Sequence, residues 1–314
     1  MMNELVSIVT PCYNGEQYIE RFFDSILQQT YPAIELVFVN DGSTDKTKEI
    51  VNDYRSKFDK RGIGFVYCYQ KNAGQAAALN SGLKLFSGQY LLWVDSDDTL
   101  SKNFIESRVK YLKKYPGSAF CYGKAVFVDE REPETIVFET EKREDKGRYT
   151  FFEDVCINVK DVFFSGYMCR VEDLDKVIKN RDIYTGEGGQ NAQLLLPLSW
   201  YYGEPGYVEE SIYKYYLREN SHSHSQNTSR KIIAQIERYE KILIESIKRI
   251  PDERAQKYIP IIKNNYARQK FCNAVDTKCT KLIWHYFKEL RRLRIIRFHD
   301  ILMIIKYTIL FQKE

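Results

Sequence analysis

The sequence of 314 residues lacks the features of several protein classes. Its seven cysteines are scattered and no two have CxxC spacing, so we expect reduced, mostly buried thiols in a reducing compartment. The N-terminus has no charged segment followed by an apolar core, so we expect no signal peptide. The longest apolar run near the C-terminus, 301–311, is broken by Lys306 and is too short to span a bilayer. These absences indicate a cytoplasmic protein.

Glycine-rich nucleotide-binding loops are also absent. No GxGxxG pattern follows a predicted strand, which argues against a dinucleotide-dependent oxidoreductase. A nucleotidyltransferase would typically need a glycine-rich basic loop after the first strand, and this chain has Pro11-Cys12-Tyr13-Asn14 there.

The first hundred residues alternate between apolar, β-branched runs and helically spaced apolar side chains. Strands are predicted at 5–10, 34–39, 64–69 and 90–94. Helices are predicted at 16–29, in the segment that ends near residue 58, and at 73–86. This alternation indicates a doubly wound, mostly parallel α/β sheet flanked by helices. In such a sheet, ligands bind at the carboxyl ends of the strands.

The rest of the chain is less regular as far as residue 229. The pattern predicts a helix at 101–115, a long strand or strand pair at 118–128 and an exposed loop or hairpin at 129–148, and it is mixed over 149–217. Helical patterns follow at 230–250, 252–275 with a break at Pro260, 277–292 and 295–311. We expect a catalytic domain over residues 1–228 and a basic helical C-terminal extension over residues 229–314.

Asp95-Ser96-Asp97-Asp98 directly follows the fourth predicted strand. Carboxylates two residues apart at a strand end can share a hard divalent cation such as Mg²⁺ or Mn²⁺. Such a cation can bridge a diphosphate and offset the charge on a departing nucleotide. The alternative is a solvated acidic turn that caps the helix starting near Leu100.

A second acidic turn, Asp41-Gly42-Ser43-Thr44-Asp45, follows the second predicted strand. The Asp41 carboxylate could accept a hydrogen bond from a uracil imide or from ribose hydroxyls. Alternatively, Asp41 and Asp45 only stabilise the turn. We expect Ser43 or Thr44 to cap the helix that follows.

Four ordered segments together resemble the family 2 inverting glycosyltransferases of the GT-A fold. They are 7–14, 39–45, 72–83 and 95–97, in the order and at the spacing of that family. The resemblance is strong over residues 4–128 and weak over 129–225. It implies a nucleoside diphosphate sugar as donor, most often a UDP-sugar, and a divalent cation, Mn²⁺ or Mg²⁺.

The resemblance also implies roles for single residues. The donor-binding residues would be Thr10, Pro11, Tyr13, Asn14, Asp41, Lys71, Asn72, Gln75, Asp95 and Ser96. Asp97 would bind the metal directly, with Asp95 on the same side. A late histidine, His222 or His224, could complete the metal shell, and the alternative for both is a polar loop.

The general base is where the sequence departs from the family. Many relatives carry Glu-Asp before an apolar helix, and alignment on the leucines places Gln190 and Asn191 there. An amide cannot take a proton from an acceptor hydroxyl. Glu187 is therefore the first candidate and Asp154 and Asp182 are further ones, unless the pocket works without a base. Gln190 and Asn191 would then orient the acceptor through hydrogen bonds.

Charge is unevenly distributed along the chain. Residues 230–314 have a net charge of +11, and residues 1–229 have −7. The basic, amphipathic stretch 288–311 could lie on an anionic membrane surface, or it could pack on the catalytic domain with its basic face in water. No nucleic-acid-binding module accompanies the charge, so we expect no nucleic-acid partner.

We therefore predict an enzyme of the hexosyl- or N-acetylhexosaminyltransferase type in polysaccharide biosynthesis. It would move a sugar, with inversion, from a nucleoside diphosphate sugar to a saccharide or lipid-linked saccharide. The protein would be cytoplasmic or peripheral on the inner face of the membrane. A degenerate transferase that only binds the nucleotide sugar is the alternative, because Gln190 and Asn191 replace the acidic pair.

Overall fold

The computed structural model describes residues 4–144, 149–157, 162–186, 189–218 and 229–310. Its first part alternates strand and helix as the sequence predicts. The elements are β1 (Val6–Cys12), α1 (Ile19–Leu27), β2 (Ile34–Asp41), α2 (Thr47–Arg61), β3 (Gly64–Gln70), α3 (Gln75–Leu83) and β4 (Tyr90–Trp93). These four strands are parallel in the order β3-β2-β1-β4, so their carboxyl ends share one edge.

The second part of the sheet mixes strand directions. The elements are β5 (Thr99–Leu100), α4 (Phe104–Lys114), β6 (Phe120–Asp129), β7 (Glu132–Glu139), α5 (Phe151–Ile157), β8 (Met168–Arg170), α6 (Val171–Val177), α7 (Gln190–Tyr202) and β9 (Gly206–Leu217). The sheet continues from β4 as β8-β6-β9-β5, and β7 pairs with β6. β9 is parallel to β6, whereas β8, β7 and β5 are antiparallel to their neighbours. Residues 129–148 thus contain the hairpin strand β7.

In the part of the chain that the structure describes, four α-helices follow the sheet. They are α8 (Ser229–Arg249), α9 (Tyr258–Asp276), α10 (Thr280–Arg292) and α11 (Phe298–Leu310). The predicted helix break at Pro260 is wrong, because Pro260 lies in the first turn of α9. A proline is tolerated there, since its missing N–H would have no helical partner in any case. Within the described residues, each helix is too short or too polar to cross a membrane.

Side chains of the strands alternate between two core clusters on opposite faces of the sheet. Ile8 points to the cluster covered by α1, α2 and α4, and Val9 points to the cluster covered by α3, α5 and α7. Leu243 of α8 and Tyr266 of α9 join the second cluster. A third cluster around Phe271 holds α9, α10 and α11 together. The helical extension therefore shares core with the sheet, and the division at residue 228 stays a prediction.

Candidate active site

The loops after β1 and β2 are joined by hydrogen bonds. The Asn14 amide donates to Ser43 Oγ at 2.9 Å, and Asn14 Oδ1 accepts from the Thr44 amide at 2.9 Å. Asn14 has a φ of 51°, which asparagine tolerates better than most residues. The predicted cap by Ser43 or Thr44 is wrong, because Asp45 instead accepts from the Thr47 amide at the start of α2. The Ser43 hydroxyl instead accepts the hydrogen bond from Asn14 and so holds the loop after β1.

Asp41 anchors the loop after β3. Its Oδ1 accepts from Gln70 Nε2 at 2.7 Å and from the Ala73 amide at 3.0 Å, and its Oδ2 accepts from the Gly74 amide at 2.9 Å. The carboxylate is buried, whereas residues 71–72 of the anchored loop are exposed. Asp41 therefore positions the rim of the site, and its contact with a nucleobase or ribose stays a prediction.

The residues at the end of β1 differ in exposure. Thr10 and Pro11 are buried, and Tyr13 is half exposed. Ser96 is buried, and burial raises the pKa of the nearby Cys12 thiol to about 12. Tyr13 is thus open to a ligand, whereas the others are covered.

Asp95 joins the predicted donor side to the predicted acceptor side. Its Oδ1 accepts from Gln75 Nε2 at 2.9 Å, and its Oδ2 accepts from Ser165 Oγ at 3.0 Å. Asn191 Nδ2 donates to the same Ser165 hydroxyl at 3.3 Å. Burial raises the pKa of Asp95, and these two hydrogen bonds oppose that shift. Ser165 was not predicted, because it belongs to no motif and lies 70 residues from Asp95.

Two arginines that the sequence analysis missed surround Asp97. Arg218 forms an ion pair with the Asp97 carboxylate, and Arg21 donates to the Asp97 carbonyl at 2.9 and 3.1 Å. The Arg218 guanidinium also lies 4.6 Å from the centre of the Tyr18 ring. Arg218 follows β9, 121 residues from Asp97, so no local spacing could have revealed the pair. The predicted metal ligand therefore faces a positive charge.

Asp98 has a structural role. It is fully buried and accepts from Tyr213 Oη at 2.7 Å and from the Tyr216 amide at 3.2 Å. Burial, and to a lesser extent the nearby Asp95, raises the pKa of Asp98 well above its ordinary value. The third carboxylate of the acidic motif thus ties the loop after β4 to β9.

The candidates for the second half of the site are only partly described. Some lie outside the described residues: Glu187, His222 and His224. Gln190 is buried at the first position of α7, next to Asn191. Asp182 accepts from Asn80 Nδ2 at 3.2 Å. Asn191 lies near Asp95, because both contact Ser165. The identity of the base stays a prediction.

A cleft of about 720 Å³ lies beside the segment that holds Asp95. Aromatic residues form much of its lining: Tyr122, Phe127, Phe138, Tyr149, Phe151, Phe163 and Tyr167. Phe163 and Tyr167 flank Ser165 in the chain. Asp154, a candidate base, also lines the cleft, but it is paired with Arg143 at 2.6 Å. The cleft has the size and the mixed aromatic and polar lining of a small-molecule site.

More than half of the chain matches a known protein family. The profile of Glycosyl transferase family 2 matches residues 7–178, which is more than half of the chain. The chain therefore belongs to glycosyl transferase family 2. The enzyme class predicted from the four motifs, a glycosyltransferase, is confirmed.

Individual relatives match a shorter stretch. Glycosyltransferase GlyA of Streptococcus pneumoniae is 41% identical over 115 residues, which are 37% of this chain and 16% of GlyA. The putative teichuronic acid biosynthesis glycosyltransferase TuaG of Bacillus subtilis is 40% identical over 108 residues, which are 34% of this chain and 42% of TuaG. The chain thus spans less than half the length of these relatives.

Solved structures resemble almost the whole chain. S. aureus TarS 1–349 in complex with UDP-GlcNAc has a TM-score of 0.61 at 18% identity, over 98% of this chain and 92% of that one. The mannosyltransferase PcManGT from Pyrobaculum calidifontis, in complex with GDP-Man and Mn²⁺, has a TM-score of 0.53 at 16% identity, over 100% and 89%. At these identities the likeness shows the fold, and it confirms the predicted GT-A-like sheet with C-terminal helices.

Proposed function

We propose that this protein transfers a sugar from a nucleoside diphosphate sugar, with a UDP-sugar as the favoured donor, to a saccharide or lipid-linked saccharide. Transfer would proceed with inversion and with Mn²⁺ or Mg²⁺. TarS was solved with UDP-GlcNAc and PcManGT with GDP-Man and Mn²⁺, which supports a nucleotide-sugar donor.

One observation carries the proposal. The residues that follow β1, β2, β3 and β4 form a continuous network at one sheet edge, from Asn14 through Asp41 to Asp95. This edge is where open α/β sheets bind ligands. The network holds polar and acidic groups in fixed positions, as a nucleotide with a charged diphosphate requires.

The residues present fit a hard divalent cation. Within the described residues, no three His, Cys, Asp or Glu side chains form a metal cluster, so the protein alone would supply few ligands. Asp97 and Asp95 would therefore share the cation with oxygens of the diphosphate. Arg218 already places a positive charge against Asp97. When bound, the cation would offset negative charge on the departing diphosphate.

The acceptor would enter from the cleft beside Ser165. Aromatic faces such as Phe163 and Tyr167 suit the apolar faces of sugar rings, and Asn191 would orient an acceptor hydroxyl. Asn191 cannot remove the hydroxyl proton, so we keep Glu187 as the proposed base. The hydroxyl would attack the anomeric carbon from the side opposite the diphosphate, which inverts its configuration.

The test is thermal unfolding of the protein with UDP, GDP, CDP and dTDP, each with and without Mn²⁺. A ligand that binds only the folded state raises the melting temperature. We expect a metal-dependent shift with UDP that Asp97→Asn abolishes and that the exposed control Asp53→Asn, on α2, keeps. No shift with any nucleotide would contradict the proposal.

Turnover separates the transferase from a degenerate binding module. Release of UDP from a UDP-sugar, with a saccharide acceptor, excludes the module. Loss of turnover with retained UDP binding in Glu187→Gln would support Glu187 as the base, whereas unchanged turnover would exclude it. The anomeric configuration of the product, read by NMR, tests inversion.

A further inference from the structure

The outer side of α11 is apolar. Phe298, Ile301, Leu302 and Ile305 are 76%, 42%, 47% and 46% exposed. Their spacing of three and four residues puts them on one face of the helix, while Ile304 on the other side is buried in the third core cluster. A surface helix normally has one apolar stripe, facing the core. The second stripe of α11 is thus left without a partner in the described chain.

The same part of the chain, 280–306, also carries exposed basic residues. They are Lys281, Lys288, Arg291, Arg292, Arg294, Arg297 and Lys306. On α10, Trp284 and Lys288 are one turn apart, and Trp284 is itself 40% exposed. We call these basic residues, Trp284 and the apolar stripe the α10–α11 surface.

The acidic residues of the same stretch are turned inward. Glu289 pairs with Lys270 at 3.4 Å, and Asp300 pairs with Arg268 at 2.9 Å. Among the described residues 280–306, every exposed Asp, Glu, Lys or Arg side chain is therefore basic. Within these described residues, the surface combines large apolar side chains with positive charge that no exposed carboxylate of the same stretch offsets.

We propose that the α10–α11 surface docks on a bilayer that contains anionic lipids. The apolar stripe would enter the boundary between headgroups and acyl chains, and the Lys and Arg side chains would contact lipid phosphates. The 13 residues of α11 extend about 20 Å, which is less than the roughly 30 Å of a hydrocarbon core, so the helix lies in the plane of the interface. A second copy of the chain is a poorer occupant, because it would bring the same positive charges face to face.

This inference goes beyond the proposed function, because docking requires neither donor nor metal. It also proposes where the reaction occurs, since docking would bring the protein to the bilayer that holds a lipid-linked acceptor. Vesicle binding measured without nucleotide tests the surface alone, so its failure would leave sugar transfer standing.

The experiment is co-sedimentation of the full chain with two kinds of vesicle, at low and at raised salt. One kind is phosphatidylcholine alone, and the other contains about one third phosphatidylglycerol. We expect at least tenfold stronger binding to the anionic vesicles, weakened by salt as the charges are screened. Equal binding to both vesicles, or to neither, would overturn the proposal.

Matched double variants test the two components of the surface. Lys288→Glu with Arg297→Glu should reduce anionic-vesicle binding at least tenfold, whereas Lys48→Glu with Lys60→Glu on α2, which changes the net charge equally, should not.

Phe298→Ser with Ile305→Ser should also reduce binding, whereas Ile136→Ser with Val137→Ser on β7 should not. Circular dichroism checks that each variant is folded. A dimer in sedimentation velocity that dissociates in Phe298→Ser with Ile305→Ser would assign the surface to self-association and contradict the proposal.

Discussion

The side chains nearest the proposed chemistry are held by residues that carry no chemistry themselves. Arg108 is fully buried and donates to the Gly166 carbonyl at 3.1 and 3.3 Å and to Ser211 Oγ. Gly166 has a φ of +76°, and a Cβ there would lie 2.7 Å from the ring of Tyr213, so only glycine fits. Ser165, which hydrogen-bonds Asp95, is the residue before it. Arg108 therefore fixes the segment that orients Asp95.

Replacing Arg108 tests this positioning role. Arg108→Met keeps most of the side-chain volume but leaves the buried Gly166 carbonyl without its donor, so we expect a loss of about 2 kcal/mol in the free energy of unfolding. Chemical denaturation measures that loss. The turnover number should fall more than the KM for the donor changes, because Asp95 would be misplaced while the proposed nucleoside contacts would be kept. Arg108→Lys, which keeps a single charged nitrogen as donor group, should recover part of both losses. A variant with wild-type turnover would contradict the role.

Individual site residues could be predicted only where a local motif marks them. Asp41, Asp95 and Asp97 follow predicted strands, so topology alone places them at one edge. Ser165 and Arg218 reach that edge from parts of the chain 70 and 121 residues away, and no spacing in the sequence reports such contacts.

Strands and helices, too, could be predicted only where the local sequence has a clear pattern. The parallel strands β1 to β4 lie within two residues of their predicted bounds. β1, β2 and β4 are buried and largely apolar, and the edge strand β3 is rich in aromatic side chains. β5 and β8 have only two and three residues and pair with distant strands, so their sequence carries too little pattern. The C-terminal helices were predicted, and the ion pairs that fix their packing were not.

One of those ion pairs attaches α11 to α9. Asp300 is buried and accepts from Arg268 Nη1 at 2.9 Å and from the Arg297 amide at 2.7 Å. Asp300→Asn leaves the guanidinium without a carboxylate, and we expect α11 to lose about 2 kcal/mol of local stability. Hydrogen exchange in α11 should then be roughly 30-fold faster, while β1 to β4 stay unchanged.

An exposed ion pair of α8 provides the control for this prediction. Glu245 contacts Lys248 at 2.8 Å near the surface, and such pairs contribute little. Glu245→Gln should leave hydrogen exchange in α8 and α11 at wild-type rates. Equal effects of the two substitutions would show that Asp300 is not the attachment point.

At the scale of the whole molecule, the burial and reactivity of the cysteines depend on how closely the helices pack on the two faces of the sheet. All seven are free thiols, as the sequence analysis expected. Cys12, Cys121, Cys156 and Cys169 are buried, and burial raises the pKa of Cys121 to about 12. A thiol reacts as its thiolate, so these four are protected twice, by lack of access and by protonation.

Titration with a thiol reagent at mildly alkaline pH tests this arrangement. Cys272 is the exposed cysteine, and it should account for the fast phase in the folded protein. Cys272→Ser should remove that phase, and all seven thiols of the wild type should react after denaturation. Fewer than seven would reveal a disulfide. A fast phase that survives Cys272→Ser and exceeds the two partly exposed thiols, Cys68 and Cys279, would show that the core opens readily.

The hydrogen-bonded loops after β1 and β2 have a consequence for the time course of ligand binding. A pocket wall already fixed by the Asn14, Ser43 and Thr44 contacts loses little conformational entropy when it is occupied. For the proposed cation to bind Asp97, in contrast, Arg218 would first have to leave the carboxylate. The two ends of a nucleotide would then settle in sequence, the nucleoside first and the diphosphate afterwards. In a stopped-flow trace this gives two phases, of which only the slower one depends on the concentration of the divalent ion.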